Sequence, residues 1–475
     1  MSKSKSGKNI VGKIITLIQL LLAVGLIAVV WNSGMVPMKY MIVIIVGLLV
    51  LFGVTFGLQF VKNKIYIVGI VISFLLSIIQ AAGIVYMLKA DKLMADVGGA
   101  TYKTDNMVVV VKKDDAANSL MDASMYRFGT QTAVDQENTQ IMVDNINTSL
   151  GREVKIEQYG TVQELANALL EGRVDAAVYN QALDGLITDA IEDYSEQVRV
   201  LYQYGIETEI EQENVDVEEP FNVYISGIDV DGPITTNSRS DVNIIMTVNP
   251  NTKKILLTST PRDYYVIIPE ISGEQRDKLT HAGIYGVDAS MKTLEQLYGI
   301  DISYYVRVNF TSLIKIVDAL GGIDVEFDSD FITAYNGREI KKGINHLDGD
   351  MALGVARERY SFEDGDNQRG RNQEKMLTAI LNKAMSPSLL KNANELIASV
   401  SDSVQTNMTQ QEMAKFIKMQ LNDGATWSIE SQAATGHGDT QACYSSGDQP
   451  LYVMWPDETS VRAVSSKMQE VLSGN

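Results

Sequence analysis

Cysteine and histidine are almost missing from this sequence. Its 475 residues include a single cysteine, Cys443, and three widely spaced histidines, His281, His346 and His437. No disulfide can form within the chain, and the histidines do not form the close cluster that a zinc site requires. The single cysteine fits a reducing compartment, and it fits equally an exported protein that folds without disulfides. Folds stapled by internal disulfides or built on a zinc cluster are therefore excluded.

Acidic residues are almost missing from the first 92 residues, which hold nine lysines, no arginine and one acid, Asp91. The remaining 383 residues hold 58 of the 59 acidic and 31 of the 40 basic residues, a net charge of −27. A surface this negative repels nucleic acid, so nucleic acid is not an expected partner and a transcription factor is disfavoured. An anionic substrate needs a local basic site that works against this field.

The longest apolar runs lie in the N-terminal segment, at Ile14–Trp31, Met41–Val61 and Ile65–Met87. Each is close to the ~20 residues needed to cross a hydrocarbon core, so we expect three transmembrane helices. Gln80, deep in the third run, is expected to make an interhelical hydrogen bond. The lysines of the N-terminal tail and of the loop before the third run place both in the cytoplasm. Everything after about residue 90 is therefore expected outside the cell.

The rest of the chain predicts soluble α/β units. Residues 93–219 alternate strands and helices, and Glu164–Tyr179 has the pattern of a helix, a glycine stop and a buried strand. This small unit shows no cluster that would do chemistry, so an accessory or partner-binding role is expected. Residues 220–423 repeat a strand–helix–strand pattern that is typical of a mixed sheet. Residues 424–475 are expected to complete the same unit, and the predicted fold class is α/β.

Two aspartates flank one loop of the second unit. Asp229 follows a strand predicted at Phe221–Ser226, and Asp241 precedes a strand predicted at Val242–Val248, so the two carboxylates can face each other. Such a pair repels unless a proton or a cation lies between its members. Mg²⁺ binds one or two carboxylates together with a substrate phosphate, which makes it the expected ion. Ordinary surface acids of a turn are the alternative interpretation.

Arginines cluster later in the same unit. Between Arg357 and Lys375, five cationic side chains fall within 19 residues of an otherwise acidic region. Arg357 and Arg359 are two residues apart, so in an extended segment both point the same way. Paired guanidinium groups match phosphate oxygens, and Gln373, in the first turns of a predicted helix, can aim a polar donor at an anion. A surface lattice of arginine and glutamate is the alternative.

The order and spacing of these motifs resemble the LytR-CpsA-Psr family. The three N-terminal spans and the intervening small unit are similar to its CpsA branch, which is found with capsule export systems of Gram-positive bacteria. The resemblance covers essentially the whole chain and is strongest over residues 221–405. The matching segments are GID (227–229), RSD (239–241), PRD (261–263), DKLTHA (277–282), LGGIDV (320–325), LDGDMAL (347–353), ARER (356–359) and DNQRGRNQEK (366–375).

The resemblance implies an α/β fold with a long apolar tunnel that holds a polyprenyl chain and has the lipid phosphate at its mouth. It implies Mg²⁺ as the cofactor, held by Asp229 and Asp241. Many members have arginine where this chain has Asp231, and arginine where it has Asn372. The implied catalytic residues are Asp229, Asp241, Arg262, Arg357 and Arg359, and the implied ligands of the lipid phosphate are Arg262, Arg357, Arg359, Arg369, Arg371 and Gln373.

The function implied by the resemblance is Mg²⁺-assisted transfer of a polyprenyl-pyrophosphate-linked glycopolymer, capsular polysaccharide, to peptidoglycan. The expected partners are that lipid-linked polysaccharide, peptidoglycan, the cell membrane, and proteins of capsule export or its kinase. Two alternatives stay open. The same residues would serve a polyprenyl-pyrophosphate hydrolase that uses water as the acceptor, and the chain could instead be a non-enzymatic membrane regulator or assembly factor of polysaccharide export.

Overall fold

Three long helices begin the chain in the computed structural model, which describes residues 6–61, 64–99, 102–209, 215–228, 234, 237–362, 365–386, 404–447 and 449–474. These helices are α1 (Ser6–Asn32), α2 (Met38–Leu58) and α3 (Ile65–Val97). Their apolar spans of 23, 21 and 28 residues are each long enough to cross a membrane. The three predicted helical spans are confirmed, and α3 continues ten residues past its predicted end at Met87.

A glutamine of α1, rather than the predicted Gln80, connects the three helices. Gln19 Oε1 accepts hydrogen bonds from Thr55 Oγ1 of α2 at 2.8 Å and from Ser73 Oγ of α3 at 2.6 Å. Gln80 is 2% exposed, and neither polar atom of its side chain has a hydrogen-bond partner among the described residues. The polar link inside the bundle therefore lies about two turns nearer the start of α3 than expected.

The first soluble unit is a five-stranded mixed sheet with helices on its faces. Its strands run in the order β3-β2-β4-β1-β5, with parallel pairs around β2 and antiparallel pairs around β1. The predicted helix–glycine–strand pattern is confirmed: α5 ends at Gly172, whose φ of +77° suits a left-handed helix cap, and the following strand is fully buried. The elements are β1 (Tyr102–Lys112), β2 (Arg127–Gln131), α4 (Gln136–Leu150), β3 (Lys155–Tyr159), α5 (Val162–Glu171), β4 (Ala176–Asn180), α6 (Asp184–Ala190), α7 (Tyr194–Gln197) and β5 (Val198–Glu209).

The second soluble unit contains the remaining helices and strands. In chain order they are β6 (Phe221–Ile228), β7 (Ser240–Asn249), β8 (Lys254–Ser259), β9 (Tyr265–Ile267), β10 (Arg276–Lys278), α8 (Leu279–Ala282), α9 (Val287–Tyr298), β11 (Tyr304–Val308), α10 (Phe310–Ala319), β12 (Ile323–Phe327), β13 (Phe331–Ile332), β14 (Glu339–Ile340), β15 (Gly343–Leu347), α11 (Gly349–Arg357), α12 (Asp366–Ala384), β16 (Val404–Thr406), α13 (Gln410–Asp423), β17 (Ser428–Ala433), β18 (Gly436–Ala442), β19 (Pro450–Pro456) and α14 (Glu458–Ser473).

Six of these strands form the central sheet, in the order β16-β11-β6-β7-β8-β17. Strands β11 and β6 pair in parallel, as do β8 and β17, and the other pairs are antiparallel. The predicted mixed sheet and the α/β fold class are confirmed. Strand β17 comes from residues 424–475, so the end of the chain supplies one edge of the sheet.

The two faces of the central sheet pack against different helices because successive side chains of a strand point to opposite sides. Tyr224 and its cross-strand partner Ile245 lie in a core with residues of α9 and α14. The neighbouring pair, Ile225 and Ile244, points to the other face, which α10, α12 and α13 cover. This second face contains the functional site.

Candidate active site

A cavity of about 830 Å³ lies between the second face of the central sheet and helices α10 and α12. Most of its wall is apolar. That property is the one that a tunnel for a polyprenyl chain would need. The strands and the helices both contribute to the wall because each turns one apolar side inward. The apolar lining residues are Ile225, Val242, Ile244, Met246, Val306, Val308, Leu313, Ile316, Met376, Leu377, Ile380 and Leu381.

Charged and polar residues gather at one end of this cavity. Along α12, Arg369 and Gln373 come two to three turns before the apolar Ile380, and along β7 Asp241 comes before Ile244. Asp241, Arg369 and Gln373 also line one small crevice together, which places the polar groups of both elements at the same end. The charged residues and the glutamine that line the cavity are Asp189, Arg239, Asp241, Arg262, Asp263, Lys278, Arg357, Arg359, Arg369 and Gln373.

Arg357 is the last residue of α11 and is held between two aromatic rings. Its Cζ lies 4.3 Å from the ring centroids of Phe310 and Tyr335, a geometry in which the ring faces attract the guanidinium group. The aromatic faces fix the plane of the guanidinium group by contacts with its faces and not with its N–H donors. Among the described residues no acid forms an ion pair with Arg357, so its N–H groups can donate to an anion in the cavity.

Arg359 reaches the same cavity through a short extended segment. Its Nη2 donates to Tyr360 Oη at 2.7 Å, and its Cζ lies 4.8 Å from the Tyr360 ring. Between the two arginines, the buried Glu358 accepts hydrogen bonds from the main chain of Ala334 and Ser361, which fixes the turn. The structure thus brings Arg357 and Arg359 together, although helix α11 extends one residue into the segment expected to be extended.

Arg262 and Asp241 form an ion pair at the polar end of the cavity. Arg262 Nη1 lies 2.6 Å from Asp241 Oδ2, and Thr280 Oγ1 donates to Asp241 Oδ1 at 3.2 Å. Both charged side chains are less than a fifth exposed, so the pair is well ordered and weakly screened. Asp263, the residue after Arg262, forms a close ion pair with Lys278.

The predicted ligands on α12 divide into two groups. Arg369 and Gln373 line the cavity, and Gln373 Nε2 donates to Ala356 O at 2.9 Å. Both also line a small adjoining crevice of about 30 Å³, together with Asp241 and Arg262. Arg371 is not part of the cavity wall among the described residues; its guanidinium group donates to Gln368 Oε1 on the same helix at 2.6 and 3.0 Å.

Four charged residues of the site were not predicted from the sequence: Asp189, Arg239, Asp263 and Lys278. Asp263 belongs to the PRD motif, directly after the predicted Arg262. Arg239 and Lys278 lie inside motifs quoted for the family resemblance, RSD and DKLTHA, and their position there was the available signal. Asp189 belongs to α6 of the first soluble unit, 38 residues before the first motif at 227–229, and no local pattern marks it.

The described residues offer Mg²⁺ one of its two expected carboxylates. Asp241 lines the cavity, whereas Asp229 lies outside the described residues. Within the described ranges no group of three or more His, Cys, Asp or Glu side chains forms a complete metal site. Both oxygens of the Asp241 carboxylate have partners in this structure, Arg262 at Oδ2 and Thr280 at Oδ1. A cation that binds one or two carboxylates together with substrate phosphate and water would take Asp241 as one ligand.

Glu374 is a buried carboxyl group directly after Gln373. It is 4% exposed, and its Oε1 has no hydrogen-bond partner among the described residues. Burial raises the pKa of Glu374 to about 8, and hydrogen bonds from the Ser259 main chain and Ser431 offset this only in part. At neutral pH the Glu374 side chain is therefore mostly protonated and uncharged. Its hydrogen bonds with Ser259 and Ser431 connect α12 to β8 and β17 without burying a charge.

Stability is expected to fall with rising pH because of Glu374. Its folded pKa of about 8 lies above the ordinary value of about 4.3. The contribution of Glu374 to the free energy of unfolding is therefore fully present below about pH 4, where the group is protonated in both the folded and the unfolded chain. It is at most about 5 kcal/mol, and it is lost as the pH rises through 8. Urea unfolding followed by tryptophan fluorescence measures the free energy of unfolding. In Glu374→Gln this free energy should no longer fall between pH 6 and 9. Glu430→Gln, at an exposed glutamate, is the control, and an unchanged slope in Glu374→Gln would contradict the assignment.

The sequence pattern of the LytR_cpsA_psr family matches residues 189–469. The chain belongs to this family. The matched region spans the second soluble unit and includes every described residue of the site, from Asp189 to Gln373. The family resemblance expected from the motifs is confirmed.

Curated relatives carry the name polyisoprenyl-teichoic acid–peptidoglycan teichoic acid transferase TagU. The protein of Enterococcus faecalis is 36% identical over 226 residues, which cover 47% of this chain and 73% of that relative. The protein of Bacillus mycoides is 35% identical over 206 residues, which cover 43% of this chain and 66% of that relative. Neither match includes the whole of this chain.

Solved structures of similar proteins cover about half of this chain. TagV of B. subtilis is 28% identical, with a TM-score of 0.47, and the match covers 54% of this chain and 98% of TagV. TagT bound to LI-WTA is 29% identical, with a TM-score of 0.45, and the match covers 55% of this chain and 94% of TagT.

Proposed function

We propose that this chain transfers a polyprenyl-pyrophosphate-linked glycopolymer to peptidoglycan. The observation that carries the proposal is one cavity with two environments: an apolar wall along the sheet and a polar end with six cationic side chains. An isoprenoid chain and a phosphate head group need these two environments side by side. Residues 93–475 carry a net charge of −27, so a concentration of cations within them supports a specific anion site.

Enzymatic transfer is supported by family membership and by the transferase names of the curated relatives. Those relatives are named for teichoic acid and peptidoglycan. For this chain we propose capsular polysaccharide as the polymer, because its three N-terminal spans and intervening unit resemble the CpsA branch. Proteins of capsule export and its kinase are the proposed membrane partners, since one span would suffice as an anchor.

We further propose that the chain is a multi-pass protein of the cell membrane of a Gram-positive bacterium. The three apolar helices support anchoring, and the lysines of the N-terminal tail support a cytoplasmic N-terminus. Three crossings then carry residues 93–475 to the outer side, where peptidoglycan is the acceptor.

In the proposed reaction, a hydroxyl oxygen of the acceptor glycan bonds to the phosphorus next to the glycopolymer. The P–O bond to the lipid phosphate breaks, the hydroxyl proton is released, and polyprenyl phosphate leaves with its negative charge. Arg357 and Arg359 are placed to bind these phosphate oxygens. Arg262, which follows β8 and is oriented by its ion pair with Asp241, adds a third positive charge at the polar end of the cavity. Ordered cations stabilise the developing charge without reorganising during the reaction.

Mg²⁺ is the cofactor we propose, with Asp241 as the described ligand and Asp229 as its proposed partner. When bound beside the lipid phosphate, the ion would neutralise charge on the pyrophosphate. The side chains that border this position are Arg262 and Thr280, which keep the Asp241 carboxylate turned toward the polar end of the cavity.

The proposal is tested with the full chain in lipid nanodiscs, a labelled lipid-linked glycopolymer and purified peptidoglycan. We expect the label to move to peptidoglycan with release of polyprenyl phosphate, to stop with EDTA, and to resume with Mg²⁺. Arg338→Ala, at an exposed arginine paired with Asp350, is the control that keeps activity. Equal lipid release without peptidoglycan would indicate a hydrolase, and no turnover of bound lipid would favour a regulator.

A further inference from the structure

The first soluble unit holds a short segment of the second unit at two points. Asn237 Nδ2 donates to Asp105 Oδ1 of β1 at 2.8 Å, and both side chains are at most 5% exposed. Two residues later, Arg239 Nη1 lies 2.7 Å from Asp189 Oδ2 of α6. This segment leads directly into Asp241, so contacts from another unit fix the entry to the site.

Arg239 is also packed tightly against α6. A Cβ added at Gly185 would lie 2.6 Å from both Cζ and Nε of Arg239, so the guanidinium group lies directly on the glycine. The Arg239 side chain is 16% exposed, whereas Asp189 is 50% exposed. Arg239 is therefore enclosed by a surface that the first unit provides, and its orientation depends on that surface.

Arg239 and Asp189 both line the large cavity, and Asp189 is the lining residue that the first unit contributes among the described residues. A guanidinium group has five N–H donors in a planar fork, so one bond to Asp189 leaves others for an anion in the cavity. A long side chain on a loop loses rotamer freedom when it binds, and an arginine that is already ordered avoids that loss.

We propose that the first soluble unit is a working part of the lipid-phosphate site, in which Asp189 is a positioning residue that holds Arg239 toward the phosphate groups. This inference rests on the proposed function. The small unit is then more than an accessory domain with a ligand of its own. Asp189 touches no substrate in this scheme and acts only through Arg239.

The direction of the change in phosphate affinity distinguishes a positioning role of Asp189 from a purely electrostatic one. An acid beside an anion site repels the anion, so its removal should tighten phosphate binding if charge alone mattered. If Asp189 orients Arg239, its removal should weaken binding instead. Asp189→Asn keeps an oxygen acceptor for Arg239 without the charge, and it should restore most of the affinity.

The chain offers a matched control in a second ion pair between the same two units. Lys103 Nζ of β1 lies 3.1 Å from Asp288 of α9 and donates to Tyr285 O at 3.0 Å. Gln405 Nε2 also donates to Tyr102 O across the same boundary. Asp288→Ala therefore removes a second ion pair between the two soluble units, at a residue that does not line the cavity. Any effect of this variant on lipid binding measures the contribution of the contact between the units.

The experiment measures binding of undecaprenyl pyrophosphate to the full chain in nanodiscs, with thermal unfolding as a check of the fold. We expect Asp189→Ala to weaken binding about tenfold, the loss typical of one charge-assisted contact, and Asp288→Ala to leave it unchanged. In the Arg239→Ala background, Asp189→Ala should add nothing, because Asp189 acts through Arg239. Gly185→Ala, which crowds Arg239 but keeps Asp189, should also weaken binding.

Several outcomes would overturn the inference. Equal losses in Asp189→Ala and Asp288→Ala would show that the acid serves only to dock the units, and tighter binding in Asp189→Ala would show that it acts only by charge. Binding that depends on Arg357 and Arg359 but not on Asp189 would leave the proposed function standing and reject this inference. Absence of binding to the unchanged protein would reject both.

Discussion

Replacing Arg357 and Arg359 together by alanine is expected to reduce glycopolymer transfer by about 10²–10³-fold or more. Arg357 is held between Phe310 and Tyr335, and Arg359 is held by Tyr360, so both guanidinium groups are ordered before the lipid arrives. The substitution removes two bidentate partners of phosphate and leaves the phosphate in a low-dielectric cavity with less compensation. The measurement is the initial rate of label transfer to peptidoglycan.

The same variant should also carry less bound lipid. Mass spectrometry of organic extracts from the full chain, purified from a polyprenyl-containing host, should show polyprenyl phosphate that is reduced in the double variant. Arg357→Lys/Arg359→Lys keeps the charges but not the forked geometry, and an intermediate rate is expected for it. A double alanine variant that folds, keeps its lipid and transfers at the normal rate would reject the assignment of these arginines.

Leu313→Trp is expected to fill part of the cavity and weaken lipid binding by close to 10³-fold while the protein stays folded. Leu313 lies on α10, packs against the buried core around Val317 and also lines the cavity. A larger side chain therefore has space only on the cavity side, where the isoprenoid chain should lie. If one isoprene unit of five carbons is displaced, the loss at about 0.8 kcal/mol per carbon is roughly 4 kcal/mol, or close to 10³-fold in affinity. Binding of undecaprenyl phosphate measures the effect.

The control for this variant is Ile332→Trp, at an exposed position outside the cavity. It should bind the lipid normally and unfold at the same temperature as the unchanged protein. If Leu313→Trp binds as well as this control, the isoprenoid chain does not lie between α10 and the sheet, and the cavity has another use.

Local patterns in the sequence were sufficient for the elements that carry the site. The apolar runs predicted the three helices, the strand patterns at Phe221–Ser226 and Val242–Val248 predicted β6 and β7, and the density of arginine indicated the α11–α12 region. These features depend on neighbours in the chain, since periodicity and motif spacing act within about ten residues. The family resemblance implied Arg262, Arg357, Arg359, Arg369 and Gln373 at the site, and all five line the cavity.

Features that depend on distant residues could not be read from the sequence. Asp189 reaches the site only because the first unit packs against the second, and the spacing of motifs carries no sign of that contact. Residues that are two positions apart in a helix point in directions about 200° apart, so Arg371 and Gln373 lie on opposite sides of α12. Which of the two faces the cavity depends on how α12 packs on the sheet, and the sequence does not show that packing. Gln19 was overlooked because a polar link between helices needs all three in place.

The edge strand β17 also determines when the protein can fold. Residues 428–433 pair with residues 254–259, so the central sheet stays open at β8 until residues 428–433 have been synthesised. Pairing across about 170 residues is slow to form, and an unpaired strand edge invites pairing with other chains. A chain cut short before residue 428 would therefore have its membrane helices and its arginines but an exposed sheet edge, and we expect such products to aggregate or be degraded rather than act as partly functional enzymes.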